Sequence, residues 1–167
     1  RKESSAASDV YKRQFGTRAG RKEFRIHDYA DDGTWADVEI AMGEVELMGI
    51  SSAEFAGQHV AGLALSVGNP HLACVLPNLN AEQLAAMDFR QPPEFDTEFF
   101  PAGSNLEILT PLREGRTSMR VYERGVGETQ SCGTGTVASA FVALADAGIE
   151  NGICLLYTSD AADDSLR

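Results

Sequence analysis

The stretch Glu123–Gly148, ERGVGETQSCGTGTVASAFVALADAG, runs from a charged, glycine-rich segment through one cysteine into an apolar segment of small residues. Its Ala- and Val-rich part predicts a helix from about Gly133 to Ala147, with Gly148 as the C′ residue that ends it. Small side chains suit a helix packed closely inside a sheet. Cys132 stands directly before the first turn, where free N–H groups and the helix dipole favour an anion. A free thiol titrates at about pH 8.5 and a helix N-terminus lowers that value, so a reactive thiolate is the expectation. Gly133 and Gly135 let a ligand approach the backbone, so the same turn suits a carboxylate. A lone cysteine at a cap is otherwise an inert small residue. Here the glycines and the neighbouring Glu123–Arg124 favour the reactive reading.

Working outward, NLEILTPL (Asn105–Leu112) and RTSMRVYER (Arg116–Arg124) alternate apolar and polar residues, predicting two strands joined by a tight turn at Glu114-Gly115. QPPEFDTEFFPAGS (Gln91–Ser104) is expected to be a loop because of its prolines, and NAEQLAAM (Asn80–Met87) a short helix with Asn80 as N-cap. HVAGLALSVGNPHLACVLP (His59–Pro77) reads as two strands broken by the turn Gly68-Asn69-Pro70. KEFRIHDY (Lys22–Tyr29) and WADVEIAM (Trp35–Met42), separated by Asp31-Asp32-Gly33, read as a β-hairpin. The pattern is α+β, mostly antiparallel, with one buried helix.

With 167 residues the chain holds one domain, or one and part of another. The formal charge of −11, without a basic patch, argues against a nucleic-acid partner. No apolar run approaches the roughly 18 residues that span a bilayer, so no membrane partner is expected and a cytoplasmic location is the default. Three cysteines, Cys74, Cys132 and Cys154, form no disulfide pattern, and no CxxC or HxxxH pair suggests a metal. Cys74 belongs to a strand's apolar alternation and is read as core. Cys154 is given no role, and His27 and His59 are read as solvated or structural. The segments 1–14 and 153–167 have no coherent hydrophobic period and are expected to be non-native tails.

Four segments carry a family resemblance. YERGVGETQSCGTGTVASA (Tyr122–Ala140) resembles the C-terminal catalytic motif of diaminopimelate epimerases. SVGNPHLACV (Ser66–Val75) and FPAGSNLEIL (Phe100–Leu109) resemble that family's two other substrate-site motifs, in the same order. FGTRAG (Phe15–Gly20) resembles a segment preceding the end of its first domain. The resemblance implies a cofactor-independent isomerase that converts LL-2,6-diaminopimelate to the meso isomer, in lysine and peptidoglycan precursor biosynthesis. It implies two cysteines on opposite faces of the substrate, one removing the α-proton as thiolate and the other returning a proton as thiol.

Carried over residue by residue, the resemblance makes Cys132 the cysteine of the second lobe. Gly133 and Thr134 would receive the α-carboxylate through backbone N–H groups. Asn69 and Asn105 would bind the zwitterionic substrate, and Arg124 would grip its distal carboxylate, where a guanidinium fork fits a planar anion. Glu123 would act at the reacting centre, and His71, paired with it, would help to set thiol protonation. No metal or cofactor is implied, and the full-length family forms homodimers. The implied fold is α+β, a diaminopimelate epimerase-like lobe with a mostly antiparallel sheet wrapped around a central helix. The implied organisation is 15–56 as the end of an N-terminal lobe and 57–152 as an incomplete C-terminal catalytic lobe. Nothing matches the family's first catalytic cysteine, so this chain alone is expected to be inactive, because one base cannot serve both faces of a carbon. Two alternatives remain: another two-cysteine racemase, such as a proline racemase-like enzyme, or a thiol hydrolase with Cys132 as nucleophile and His71 as base.

Overall fold

The computed structural model describes residues 12–17, 20–150 and 155–157. The chain divides into two compact units, Arg1–Gly43 and Glu44–Arg167. In the first, β1 (Lys12–Thr17), β2 (Gly20–Tyr29) and β3 (Ala36–Ile40) form an antiparallel sheet in that order. The predicted hairpin is β2–β3. Its turn is held by Asp32, whose Oδ1 accepts from Thr34 N–H at 3.1 Å and Thr34 Oγ1 at 2.7 Å, and Gly33 takes the positive φ of 74° that the reversal needs.

The second unit is an eight-stranded sheet with two helices. Its strands are β4 (Glu46–Phe55), β5 (Gln58–Ser66), β6 (Pro70–Val75), β7 (Glu94–Phe95), β8 (Asn105–Leu109), β9 (Arg116–Glu123), β10 (Gly127–Thr129) and β11 (Leu155–Tyr157). They lie in the order β10-β9-β8-β6-β5-β4-β7, with β11 also pairing with β9. Pairing is antiparallel except at β6–β8 and β9–β11. The helices are α1 (Ala81–Ala86) and α2 (Gly133–Asp146). The α+β class read from the sequence is the observed one, and the sheet packs around α2 through β5, β6, β8, β9 and β11.

The central strands β6 and β8 separate two cores. Leu72, Cys74, Leu106 and Ile108 join Phe55, Leu84, Phe89 and Phe100 on the α1 side. Ala73 and Leu109 join Leu65, Met119, Val121, Ala138, Val142 and Ala143 on the α2 side. All five residues of β8 are buried, because it is covered on both faces. Gly62 in β5 lies so close to β6 that a Cβ there would sit 2.0 Å from the Ala73 carbonyl oxygen. Only glycine permits that approach.

Asn80 caps α1 as the sequence predicts, its Oδ1 accepting from Gln83 N–H at 2.8 Å while Gln83 Oε1 accepts from Asn80 N–H at 3.0 Å. Gly148 takes the positive φ of 69° beyond α2. Two expectations change in detail. The proline-rich segment 91–104 holds the short strand β7, and β4, which no sequence reading assigned, pairs with β5 along its length. The compact unit that holds β4–β11 begins at Glu44. Of the two expected tails, residues 12–14 lie in β1 and 155–157 in β11; the remainder, including Cys154, lies outside the described residues.

Candidate active site

The residues singled out above meet at one end of the second sheet. The parallel strands β6 and β8 both start there, and His71 is in register with Asn105. Strand β9 runs antiparallel to β8 and ends at Glu123 beside the same edge. The link from β10 then delivers the chain to the start of α2. Four segments thus contribute: the Gly68–Pro70 turn, the first residues of β8, the end of β9 and the first turn of α2.

Cys132 is the N-cap of α2, with extended backbone (φ −135°, ψ 109°). Its Sγ accepts from Gly135 N–H at 3.4 Å and lies 3.5 Å from Thr134 Oγ1. The thiol therefore uses an orphan donor of the first turn, as a capping oxygen would. It is free and 8% exposed. The expectation of a lowered thiol pKa is corrected by this setting. Burial pushes the thiol up, and the neighbouring carboxylates of Glu123 and Glu107 push it further. The hydrogen bonds from Thr134 and Gly135 pull the other way without reversing it. Without a ligand, Cys132 rests as a thiol at neutral pH.

His71 is fully buried. Its Nδ1 lies 2.7 Å from Glu107 Oε1 and its Nε2 lies 3.1 Å from Asn69 Oδ1. The expected pairing of His71 with Glu123 is thus replaced by one with Glu107, because Glu107 points into the interior beside β6. Glu123 instead accepts from Thr129 Oγ1 at 2.5 Å across the β9–β10 pair. Neither ring nitrogen of His71 bonds Cys132. A thiol hydrolase needs that contact, so the geometry gives this alternative no support.

Asn105 is buried and its Oδ1 accepts from Arg124 N–H at 2.8 Å, tying β8 to the turn after β9. The exposed Arg124 side chain reaches back to the carbonyls of Ala102 and Gly103 at 3.5 and 3.4 Å. Both bonds are long, so a better acceptor would displace them. Gly133 is exposed and Thr134 half-buried at the start of α2, where the first N–H groups have no intrahelical acceptor. Gly135 is tighter: a Cβ there would lie 2.7 Å from Glu107 Oε1 and 3.3 Å from Cys132 Sγ.

Glu107 is the functional candidate that sequence reasoning missed. The signal was present, since alternation along NLEILT puts its carboxyl on the α2 face of a strand buried on both sides. A charged residue there needs a partner. His27 and His59 lie elsewhere, 2.8 Å from Glu39 and 2.7 Å from Glu54 on exposed surface. Cys74 is fully buried, as its strand position predicts. A cavity of about 570 Å³ opens near Asn80, Thr110 and Arg116, and no candidate site residue lines it. Among the described residues, no cluster of three or more His, Cys, Asp or Glu is placed to hold a metal ion.

A family model described as diaminopimelate epimerase matches residues 63–159, which include every one of these site residues. The chain belongs to the diaminopimelate epimerase family. It is similar to the diaminopimelate epimerase of Corynebacterium aurimucosum, 53% identical over 137 residues, covering 82% of this chain and 48% of that protein. The diaminopimelate epimerase of Rhodococcus erythropolis is 50% identical over 160 residues, covering 91% and 54%. That of Mycobacterium ulcerans is 51% identical over 137 residues, covering 82% and 47%. The chain spans about half the length of the curated relatives it matches. The pieces above divide by chemistry: one buried thiol at a helix start, a buried and a half-buried amide, and an exposed guanidinium. No helix among the described residues is long and apolar enough to cross a membrane.

Proposed function

We propose that this chain provides the Cys132 half of a diaminopimelate epimerase site, inverting the α-carbon of LL-2,6-diaminopimelate to the meso isomer without a cofactor. The observation that carries the reading is Cys132 at the start of α2, with its thiol bonded by Gly135 N–H and flanked by Glu123. A base for a very weak carbon acid must be soft, close and shielded from water, and the developing carbanion needs fixed donors around it.

The family resemblance divides the steps among these residues, and their positions support that division. The substrate α-carboxylate takes the N–H groups of Gly133 and Thr134 at the start of α2, where helix dipole and free donors favour an anion. Asn69 and Asn105 complete the zwitterion's contacts. Arg124 leaves its long carbonyl bonds for the distal carboxylate. Cys132 then exchanges a proton with the α-carbon on one face, and a second cysteine acts on the other. Glu123 holds the protonation balance of Cys132 by charge. The resting thiol state suits the role of proton donor, and on giving up its proton the sulfur retains the Gly135 N–H.

The reading extends to a cytoplasmic homodimer in the full-length protein, acting in lysine and peptidoglycan precursor synthesis. Residues 57–152 would belong to its catalytic lobe. A proline racemase-like reading is disfavoured by Arg124, because a monocarboxylate does not need a second anion grip. Arg124→Ala in the full-length protein tests the substrate. Loss of a charged hydrogen-bonding pair is worth about 1.5–3 kcal/mol, so the KM for diaminopimelate should rise at least tenfold. An unchanged KM would count against a dicarboxylic substrate.

A further inference from the structure

Glu107 has no part in the proton transfers above, yet it is the one acidic side chain among the described buried residues. It stands at the inner end of a line that runs through His71 to Asn69 in the Gly68–Pro70 turn. The two oxygens at opposite ends of the ring constrain where the protons are. Asn69 Oδ1 only accepts, so the His71 Nε2 beside it carries a hydrogen. The 2.7 Å contact at Nδ1 then holds one further proton between Glu107 and His71. Either the ring is doubly protonated beside a carboxylate, or a carboxylic acid donates to Nδ1. The proton count is the same, and in both forms Nε2–H donates to Asn69.

The surroundings favour keeping that shared proton. Glu107 Oε2 is buried with no hydrogen-bond partner, a poor setting for a bare carboxylate. Burial pushes the Glu107 carboxyl up and the charge of Glu123 adds to it, against the opposing pull of the His71 bond. The titratable groups near the pair are Glu123 from the end of β9, the Cys132 thiol from the start of α2 and the Cys74 thiol of β6. Gly135 leaves room for the carboxyl, since a Cβ there would lie 2.7 Å from Oε1.

We infer that Glu107 is a positioning residue: through His71 it locks the Asn69 amide with Oδ1 turned to the ring and its NH2 presented as a donor. This rests on the reading that Asn69 meets a substrate carboxylate. If the Glu107–His71 pair lost its shared proton, Nε2 would become an acceptor. The amide would then turn over to donate to the ring and would offer its oxygen to a ligand carboxylate, acceptor against acceptor.

Long-range proton–nitrogen NMR of the 167-residue chain reports which ring nitrogen carries a hydrogen. In the wild type His71 Nε2 should keep its hydrogen from mildly acidic to mildly alkaline pH. In Glu107→Leu the Nε2 hydrogen should be lost from a fraction of molecules and the Asn69 side-chain amide signals should shift. A bare Nε2 in the wild type overturns the inference, as do unchanged His71 and Asn69 signals in Glu107→Leu. The wild-type measurement decides the matter even if the leucine variant does not fold. Adding diaminopimelate separates the two readings: an Asn69 amide that stays unmoved at saturation, with Nε2 protonated, leaves the relay standing and removes Asn69 from the substrate site.

Discussion

At the scale of single residues, the thiol illustrates how local and tertiary effects compete. Sequence places Cys132 at a helix start and predicts a lowered pKa. The structure keeps that contribution, as the Gly135 N–H, but burial and two carboxylates outweigh it. Sequence keeps Glu123 close by without fixing its distance from the thiol, and Glu107, on a different strand, joins it only through the fold. The sign is testable through alkylation at Cys132, followed residue by residue by mass spectrometry. Thiolate is the reacting species, so the rate should rise with pH around a midpoint above that of a free thiol. Glu123→Gln removes a negative neighbour and should move the midpoint to lower pH, making the thiol faster at neutral pH. A midpoint that does not move, or moves up, would show that the Glu123 charge does not act on Cys132. Cys74 supplies the internal control, fully buried and pushed up to about 12, and should stay unlabelled until the chain is denatured.

Among the elements, legibility followed periodicity and caps. Helix α2, with Gly148 beyond it, and helix α1, with its Asn80 cap, were readable because each carries a local chemical stop or start. Strands β6, β8 and β9 were readable by alternation. Strand β4 was not: ELMGISSAEF mixes small and polar residues, and its register shifts between Leu47 and Gly49, which breaks the period of two. Nothing in the sequence shows how α1, only six residues long, is anchored. The structure assigns that to Arg120, on β9, whose Nη1 donates to the carbonyls of Leu84, Ala85 and Met87 at 2.8, 3.1 and 2.8 Å. The same guanidinium lies 4.0 Å over the Phe89 ring, and its Nε donates to Glu128 at 2.6 Å. These carbonyls lie at the helix end, where the last turn runs out of intrahelical donors, and that of Leu84 also accepts from Met87 N–H at 3.2 Å. Arg120→Met keeps the stem and removes the donors, and should cost about 1.5–3 kcal/mol in denaturant unfolding. A loss below about 0.5 kcal/mol, the range of ordinary surface substitutions, would mean that α1 is held by Leu84 packing alone.

For the whole molecule, the question is what one half-site can do without its opposite. The proposed inversion needs a proton removed from one face of the α-carbon and returned to the other, and in that proposal Cys132 serves one face only. Cys74 cannot supply the second base, since it is fully buried and its thiol is raised to about 12, by burial first and by Glu107 second. His71 cannot either, with both ring nitrogens engaged. The substrate contacts proposed above, by contrast, come from Asn69, Asn105, Arg124 and the start of α2, all within the second compact unit. Binding and turnover should therefore separate in the 167-residue chain: calorimetric titration with diaminopimelate should show binding, and chiral chromatography after incubation with the LL isomer should show no meso product. Meso product would mean that this chain supplies a second base itself. Cys154 is the one thiol left for that role, and Cys154→Ala would then abolish the activity while leaving binding in place.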